Sequence, residues 1–473
     1  MQREVILPDL KQRENKEPYP FQIEGVKFLL NSPSPYLYVG DSMGLGKTIQ
    51  GLLYANSVYA DNLLIICPAG LRLNWLLEAN LWYKTRRNQG VAILKSADVT
   101  RLLQKSMQRH YLPSPLIVSY DLLVRNSNLR RYIHKRHWDL MILDEAHYIK
   151  NIGSYRTQVV REIWDSCKRV LALSGTPVTN SGLDLFPFLN KAIPKLDYIS
   201  SESRSVCTFF DLFSDTFTNK YVTTYGIQYK GIKNDEQLNS LLKEEGKFFI
   251  RRAKEKVLKD LPEKSYLRYD LDLRVSSNIP ESVIVQFEKD LEGSSDKEAY
   301  LARQKKAFGT LRRELGEAKA KSVDVYNYID DIMLANKCAL VFFYHKTVRD
   351  ALKEKLKKKY ALAVHDGDTS AFAKQQAIEN FQSGKIDILL AQSESAVGYT
   401  ATRTQDAIFI EYPWLSTQFN QACDRIYRIG QKNAVSIHMV ICTNSLDRTL
   451  VQYLIQKQKG IDKLFKEGKY EVD

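Results

Sequence analysis

Short runs of consecutive apolar residues recur along this chain, separated by longer stretches whose apolar positions follow helical spacing. From about residue 18 the runs are YLYVG (36–40), NLLIICP (62–68), PLIVSY (115–120), DLMILDE (139–145) and RVLALSG (169–175). Unbroken apolar runs alternating with helical segments predict strands covered on both faces, the pattern of a parallel sheet wrapped by helices. After FPFLN (186–190) the alternation stops, and a mostly helical, Lys-rich stretch extends to about residue 320. A second alternation follows in CALVFFYH (338–345), ALAVHDG (361–367), DILLAQ (387–392), AIFIEYP (407–413) and SIHMVIC (436–442). Beyond it, Leu446, Leu450, Val451, Leu454, Ile455, Ile461, Leu464 and Phe465 fall at roughly helical spacing. They predict an amphipathic brace helix within 445–473.

These elements predict an N-terminal extension over 1–17, a first sheet lobe over 18–194, helical protrusions and a linker over 195–325, and a second lobe over 326–444. A length of 473 residues agrees with more than one core. Charge changes the picture further: 69 Lys and Arg against 55 Asp and Glu leave a net +14, which favours an anionic partner. Nucleic acid and an acidic membrane surface both fit that charge. No apolar run approaches the ~18 residues that span a bilayer, and MQREVILPDLKQRENKEP lacks a signal-peptide core. The expectation is a soluble, intracellular protein, with the cytoplasm of a bacterium or of a phage- or virus-infected cell favoured and the nucleus left open. Cys67, Cys167, Cys207, Cys338, Cys423 and Cys442 include no C-x-x-C pair, so neither structural zinc nor a disulfide framework is expected. KEKLKKKY (353–360) reads as the solvated face of a helix rather than a targeting signal.

Chemistry enters with an ordered set of motifs: GDSMGLGKT around Lys47 and Thr48, LMILDEAH ending at His147, and SGTP at 174–177. A Gly-rich turn between a strand and a helix closes backbone N–H groups around phosphate oxygens, aided by the helix dipole. Here that turn is Met43, Gly44, Leu45 and Gly46. Lys47 is positioned to reach the β- and γ-phosphates of ATP, Thr48 to bind Mg²⁺, Asp144 to hold the metal, and Glu145 to polarise the attacking water. Asp41 stands where the strict P-loop pattern has its first Gly. The structural alternatives are a helix-start turn with a surface Lys and an acidic cap after a core strand. Phosphoryl transfer also needs added positive charge. Arg425 and Arg428 in QACDRIYRIGQ (421–431), three positions apart and on one face if helical, are the candidates; the alternative is surface arginines paired with Asp424 or Glu411.

Taken in order, these motifs resemble those of the Swi/Snf family of ATP-dependent DNA translocases in helicase superfamily two. The resemblance spans about residues 18–465. It includes YPFQIEGVKFL with Gln22, CPAGLRLNW (67–75), IVSYDLL (117–123), DEAHYIKN (144–151) with SYRT (154–157), LSGTPVTN (173–180), RRAKEKVLKDLPEK (251–264), HDGDTS (365–370) and IENFQSG (378–384). SESAVGYTA (393–401) departs by lacking paired glycines while keeping Gly398 and Thr400, and looks more like the annealing-helicase, HepA-related branch. Ser42 replaces a commonly acidic residue. The resemblance implies an α/β fold of two RecA-like lobes, adenine recognition by Gln22, a nucleotide contact by Gly398, and double-stranded or branched DNA as a sequence-nonspecific partner.

Such tracking uses backbone contacts. The candidates are Arg72, Asn74, Trp75, Ser119, Tyr120, Lys150, Asn151, Arg251, Arg252 and Lys254. Trp75 reads more readily as core, Arg251 and Arg252 fit helix caps equally well, and Ser174 and Thr176 fit packing and lobe coupling. Two rival functions stand beside the DNA motor: a strand-separating RNA or DNA helicase, suggested by DEAH itself, and an ATP-gated scaffold with little turnover. The 251–264 segment argues against the first, and the intact Lys47, Asp144, Glu145, Arg425 and Arg428 against the second.

Overall fold

A computed structural model describes residues 4–9, 11–14, 16–84, 91–92, 96–109, 113–179, 181–193, 209–223, 226–242, 247–273, 297–395, 398–414, 416–442, 447–448 and 450–451. The chain divides into two units, Met1–Val257 and Leu258–Asp473. The brace helix expected within 445–473 lies almost wholly outside the described residues.

The first unit is built on a seven-stranded parallel sheet. Its strands are β1 (Tyr36–Val39), β2 (Leu63–Cys67), β3 (Val91–Ala92), β4 (Leu116–Ser119), β5 (Leu140–Asp144), β6 (Val170–Leu173) and β9 (Phe249–Ile250), in the order β3-β4-β2-β5-β6-β1-β9. Every residue of β2, β4, β5 and β6 is buried, as their unbroken apolar runs require. Helix α1 (Pro20–Asn31) opens with Pro20 and a capping box. Helix α2 (Lys47–Ser57) starts at Gly46, whose φ of 71° is left-handed, a conformation that favours glycine. Helix α3 (Arg72–Trp82) follows β2 and buries Trp75, Ala79 and Trp82.

The second unit carries a six-stranded parallel sheet of β10 (Lys264–Leu271), β11 (Ala339–Phe343), β12 (Leu362–His365), β13 (Ile388–Gln392), β14 (Asp406–Phe409) and β15 (Val435–Cys442), ordered β10-β15-β14-β11-β13-β12. Two apolar clusters cover its faces, one with Leu340, Phe342, Phe381 and Phe409, the other with Val341, Phe343, Leu352 and Ile408. Side chains successive along a strand point to opposite faces, which separates these two sets.

The stretch between the alternations departs from its mostly helical expectation. It contains helices Phe209–Phe217 and Lys297–Lys321, but also the antiparallel hairpin β7 (Asn219–Thr223) and β8 (Gly226–Lys230), and it supplies an edge strand to each sheet. Strand β9 is only two residues long, and β10 (KSYLRYDL) interleaves half-buried with exposed positions and buries only Leu271, as an edge strand does. No described helix is long and apolar enough to cross a membrane.

Candidate nucleotide site and its surroundings

Sheet register assembles the first unit's site. Asp144 pairs with Leu173, Leu173 with Val39, and Val39 with Ile250, so four strand ends lie in one row. The residues that follow are Glu145, Ser174, Gly40 and Arg251, all at the carboxyl edge where open α/β sheets bind ligands.

The loop after β1 wraps Lys47. Its ammonium donates to the carbonyl oxygens of Asp41 (2.8 Å) and Ser42 (3.2 Å). Burial lowers the Lys47 pKa, and the nearby Glu145, Asp41 and Asp144 oppose that shift. Gln22, buried in α1, accepts from Tyr19 N–H and donates to Leu45 O (3.2 Å). Gly46 favours glycine through its φ of 71°, and a Cβ there would also displace the Gln22 side-chain amide, whose Nε2 would lie 2.2 Å away. Gly175 is equally constrained: its Cβ would meet Met43 Cγ at 2.5 Å and Lys47 Nζ at 3.3 Å. Close approach by bare backbone, two loop glycines with positive φ (Gly44 and Gly46) and a helix N-terminus at Lys47 all fit a polyphosphate.

Asp144 is 8% exposed at the end of β5. Its Oδ2 accepts the indole N–H of Trp75 (2.7 Å), and its Oδ1 accepts Glu145 N–H (3.0 Å). Burial and Glu145 raise its pKa to about 7, against the pull of Trp75 and Lys47. A buried carboxylate pressed toward neutrality is a group that a divalent cation satisfies. Glu145 holds φ at 50°, a left-handed value rare for a side-chain-bearing residue. His147 Nδ1 lies 3.2 Å from Glu145 Oε2 and 3.1 Å from Ser174 Oγ, joining the acidic motif to SGT. Tyr120 Oη donates to Asp144 O (2.8 Å). Trp75 is therefore core, as its helical spacing suggested, yet its indole also holds the Asp144 carboxylate. A buried indole N–H needs an acceptor, which was the one available sign of this role.

Several expected DNA contacts turn inward. Tyr120 is 1% exposed and bonded to Asp144, Ser119 caps the helix Tyr120–Arg125 by accepting Leu122 N–H, and Lys254 is 2% exposed. Arg252 is ion-paired with Asp41, and Arg251 donates to Gly40 O (2.7 Å) and Gly175 O (3.1 Å). This corrects the expectation that these five side chains face a phosphate backbone, since burial or internal bonding occupies them. The helix-cap alternative for the two arginines is likewise replaced by contacts around the phosphate loop. Lys150 donates to the Thr179 hydroxyl, Arg72 to Ala69 O (2.9 Å), and Asn74 is half-buried. Asn151 is exposed.

In the second unit, helix Ser416–Cys423 ends before Arg425 and Arg428, so the two do not share a helix as expected. They converge nonetheless. Arg425 Nη1 and Arg428 Nη1 each donate to Tyr399 O at 3.0 Å, while Ala401 N–H donates to Arg425 O (2.9 Å). Gly398 beside them has φ 79°. His365 and Tyr399 stack obliquely with ring centroids 4.6 Å apart; both are buried, and His365 Nδ1 and Tyr399 Oη have no hydrogen-bond partner among the described residues.

The fold and these motifs define a P-loop chain of the two-lobed helicase type. Residues 21–277 match the SNF2-related domain and residues 324–430 the helicase conserved C-terminal domain; the chain belongs to the SNF2-related family. It is 29% identical over 470 residues to the SWI/SNF-related matrix-associated actin-dependent regulator of chromatin subfamily A-like protein 1 of Xenopus tropicalis, a match covering 96% of this chain and 46% of that protein. It is 27% identical over 454 residues to the DNA annealing helicase and endonuclease ZRANB3 of Bos taurus, covering 93% and 40%. The chain thus spans less than half the length of these two relatives. Among solved structures, the Sulfolobus solfataricus SWI2/SNF2 ATPase core in complex with dsDNA is similar over 96% of this chain and 95% of that one, with a TM-score of 0.41 and 19% identity.

Proposed function

We propose that this chain is a DNA-stimulated ATPase that moves along double-stranded DNA without sequence preference and remodels DNA structures or protein–DNA complexes. The observation that carries the reading is the row of strand ends in a SNF2-related chain that sets Lys47, Asp144, Glu145 and Ser174 around one phosphate loop. The names of both relatives point to chromatin or DNA as the setting.

ATP with Mg²⁺ supplies the transferable phosphoryl group and the cation that neutralises it. Gly44, Leu45, Gly46 and Met43 present the loop backbone to phosphate, and Lys47 exchanges its carbonyl partners for phosphate oxygens. Thr48 and Asp144 would hold the cation. Glu145, steadied beside His147, orients and polarises the attacking water, and Gln22 and Gly398 complete nucleotide contacts. Arg425 and Arg428 supply the added positive charge that phosphoryl transfer requires. Arg72, Asn74, Lys150 and Asn151 serve the DNA backbone.

The test is ATP hydrolysis at low salt with duplex, forked or single-stranded DNA or RNA, with Lys47→Ala as the control for background. Stimulation by duplex or forked DNA that vanishes in the control is the expected result. Stimulation by RNA alone would replace the DNA motor with an RNA helicase, and no turnover with any polymer would replace it with an ATP-gated scaffold.

A further inference from the structure

Two residues outside the nucleotide motifs close around Lys47. Arg251 and Arg252 follow β9 and lie 211 positions along the chain from the loop residues they touch. Arg252 gives Asp41 Oδ1 its backbone N–H (3.0 Å) and its Nε–H (3.1 Å), and pairs through Nη2 with Asp41 Oδ2. The same Nη2 donates to Gln50 Oε1 (2.8 Å), and Nη1 donates to Phe21 O. Asp41 is 0% exposed. One guanidinium therefore joins the loop entrance, helix α2 and the start of α1. The space is tailored to it: a Cβ on Gly25 would lie 2.7 Å from Arg252 Nη2 and 2.2 Å from Gln50 Oε1.

Each arginine stands one residue from Lys47. Arg252 fixes the Asp41 carboxylate, while the Asp41 carbonyl accepts the Lys47 ammonium. Arg251 fixes the carbonyls of Gly40 and Gly175, and Gly175 lies against Lys47 Nζ from another side. A buried carboxylate stripped of its partner seeks another cation, and Lys47 already feels Asp41 electrostatically.

We infer that Arg252, seconded by Arg251, is a positioning residue of the phosphate loop: it neutralises Asp41 so that Lys47 is left for phosphate, and it touches neither nucleotide nor DNA. This rests on the ATP-binding reading above. It predicts an unusual rescue. Removing Arg252 lets Asp41 draw Lys47 away from phosphate, and removing the Asp41 charge as well releases it.

The measurement is the affinity of a fluorescent ATP analogue with Mg²⁺ and no DNA, beside thermal unfolding, for Arg252→Ala, Arg252→Lys, Asp41→Asn and the double variant. Arg252→Ala is expected to weaken binding at least tenfold, the double variant to return within threefold of wild type, and Arg252→Lys, which keeps the charge, to lose about threefold. Should Arg252→Ala fail to fold, the double variant and Arg252→Lys carry the test. Arg252→Ala binding within twofold of wild type, a double variant at least tenfold weaker than wild type, or an Arg252→Lys that loses tenfold would overturn the assignment. Because neither DNA nor turnover enters the readout, a wild-type chain that binds nucleotide but ignores duplex DNA counts against the motor reading alone.

Discussion

Each lobe is built on a parallel sheet, but the two hold the charged groups of their sequence motifs differently. In the first, the central side chains have partners drawn from distant segments: Asp144 takes Trp75 from α3, and Asp41 takes Arg252 from within the stretch between the two alternations. In the second, Arg425 Nη1 and Arg428 Nη1 converge on the backbone carbonyl of Tyr399, and Arg425 Nε donates to Gln421 O (2.8 Å), beside two buried polar atoms, His365 Nδ1 and Tyr399 Oη, with no hydrogen-bond partner among the described residues. A network that converges on charge is preorganised before any ligand arrives. Guanidinium groups that donate to neutral backbone carbonyls exchange them for an anion at lower cost, because charge-assisted bonds are the stronger kind.

The comparison breaks first at Arg428. Arg428→Ala is expected to keep nucleotide affinity and to lose about 10³-fold in turnover, measured as DNA-stimulated hydrolysis at saturating ATP; unchanged turnover would remove Arg428 from the groups that supply charge to phosphoryl transfer. Glu145→Gln is the matching change in the first lobe, expected to bind nucleotide and to slow hydrolysis by roughly 10²–10⁴ without altering the melting curve greatly. A third contrast is pH. Burial, helped by Lys374, lowers the His365 pKa from 6.5 to about 4. The folded state then holds the neutral ring, so its stability is intact above about 6.5 and falls as pH drops toward 4, by on the order of 3 kcal/mol for this one group. His365→Leu should flatten that part of the unfolding profile; an unchanged slope would assign it to other groups. The smallest effect is expected at Tyr399→Phe. Deleting a buried hydroxyl without a partner among the described residues should leave stability unchanged or raise it by up to about 1 kcal/mol, whereas a loss above that in denaturant unfolding would show that the hydroxyl is used.

Much of this was legible beforehand, for a physical reason. Parallel strands buried on both faces write themselves as apolar runs, so β1, β2, β4, β5, β6, β11, β12, β13 and β15 could be located within a residue or two, and β14 at its start. Strand β9 could not: Phe249–Ile250 is too short for any period to register. Strand β10 hid because an edge strand with Arg268 and Asp270 on its exposed side resembles charged loop. At the site, Lys47, Asp144 and Glu145 were marked by local spacing around a turn or a strand end. The Arg252–Asp41 pair was not, since an ion pair across 211 positions leaves no local pattern. Arg425 and Arg428 show an intermediate case. Their separation suggested one face of a helix, whereas the element carrying them is a turn after Cys423, and they meet instead at Tyr399 O.

The long reach of Arg252 also orders events during synthesis. The glycines and Lys47 emerge from the ribosome early, but the clamp on Asp41 comes 211 residues later. Any fragment ending near residue 194 carries the whole phosphate loop and lacks the strand and arginine that set it, so the nucleotide pocket matures only with the last part of its own lobe.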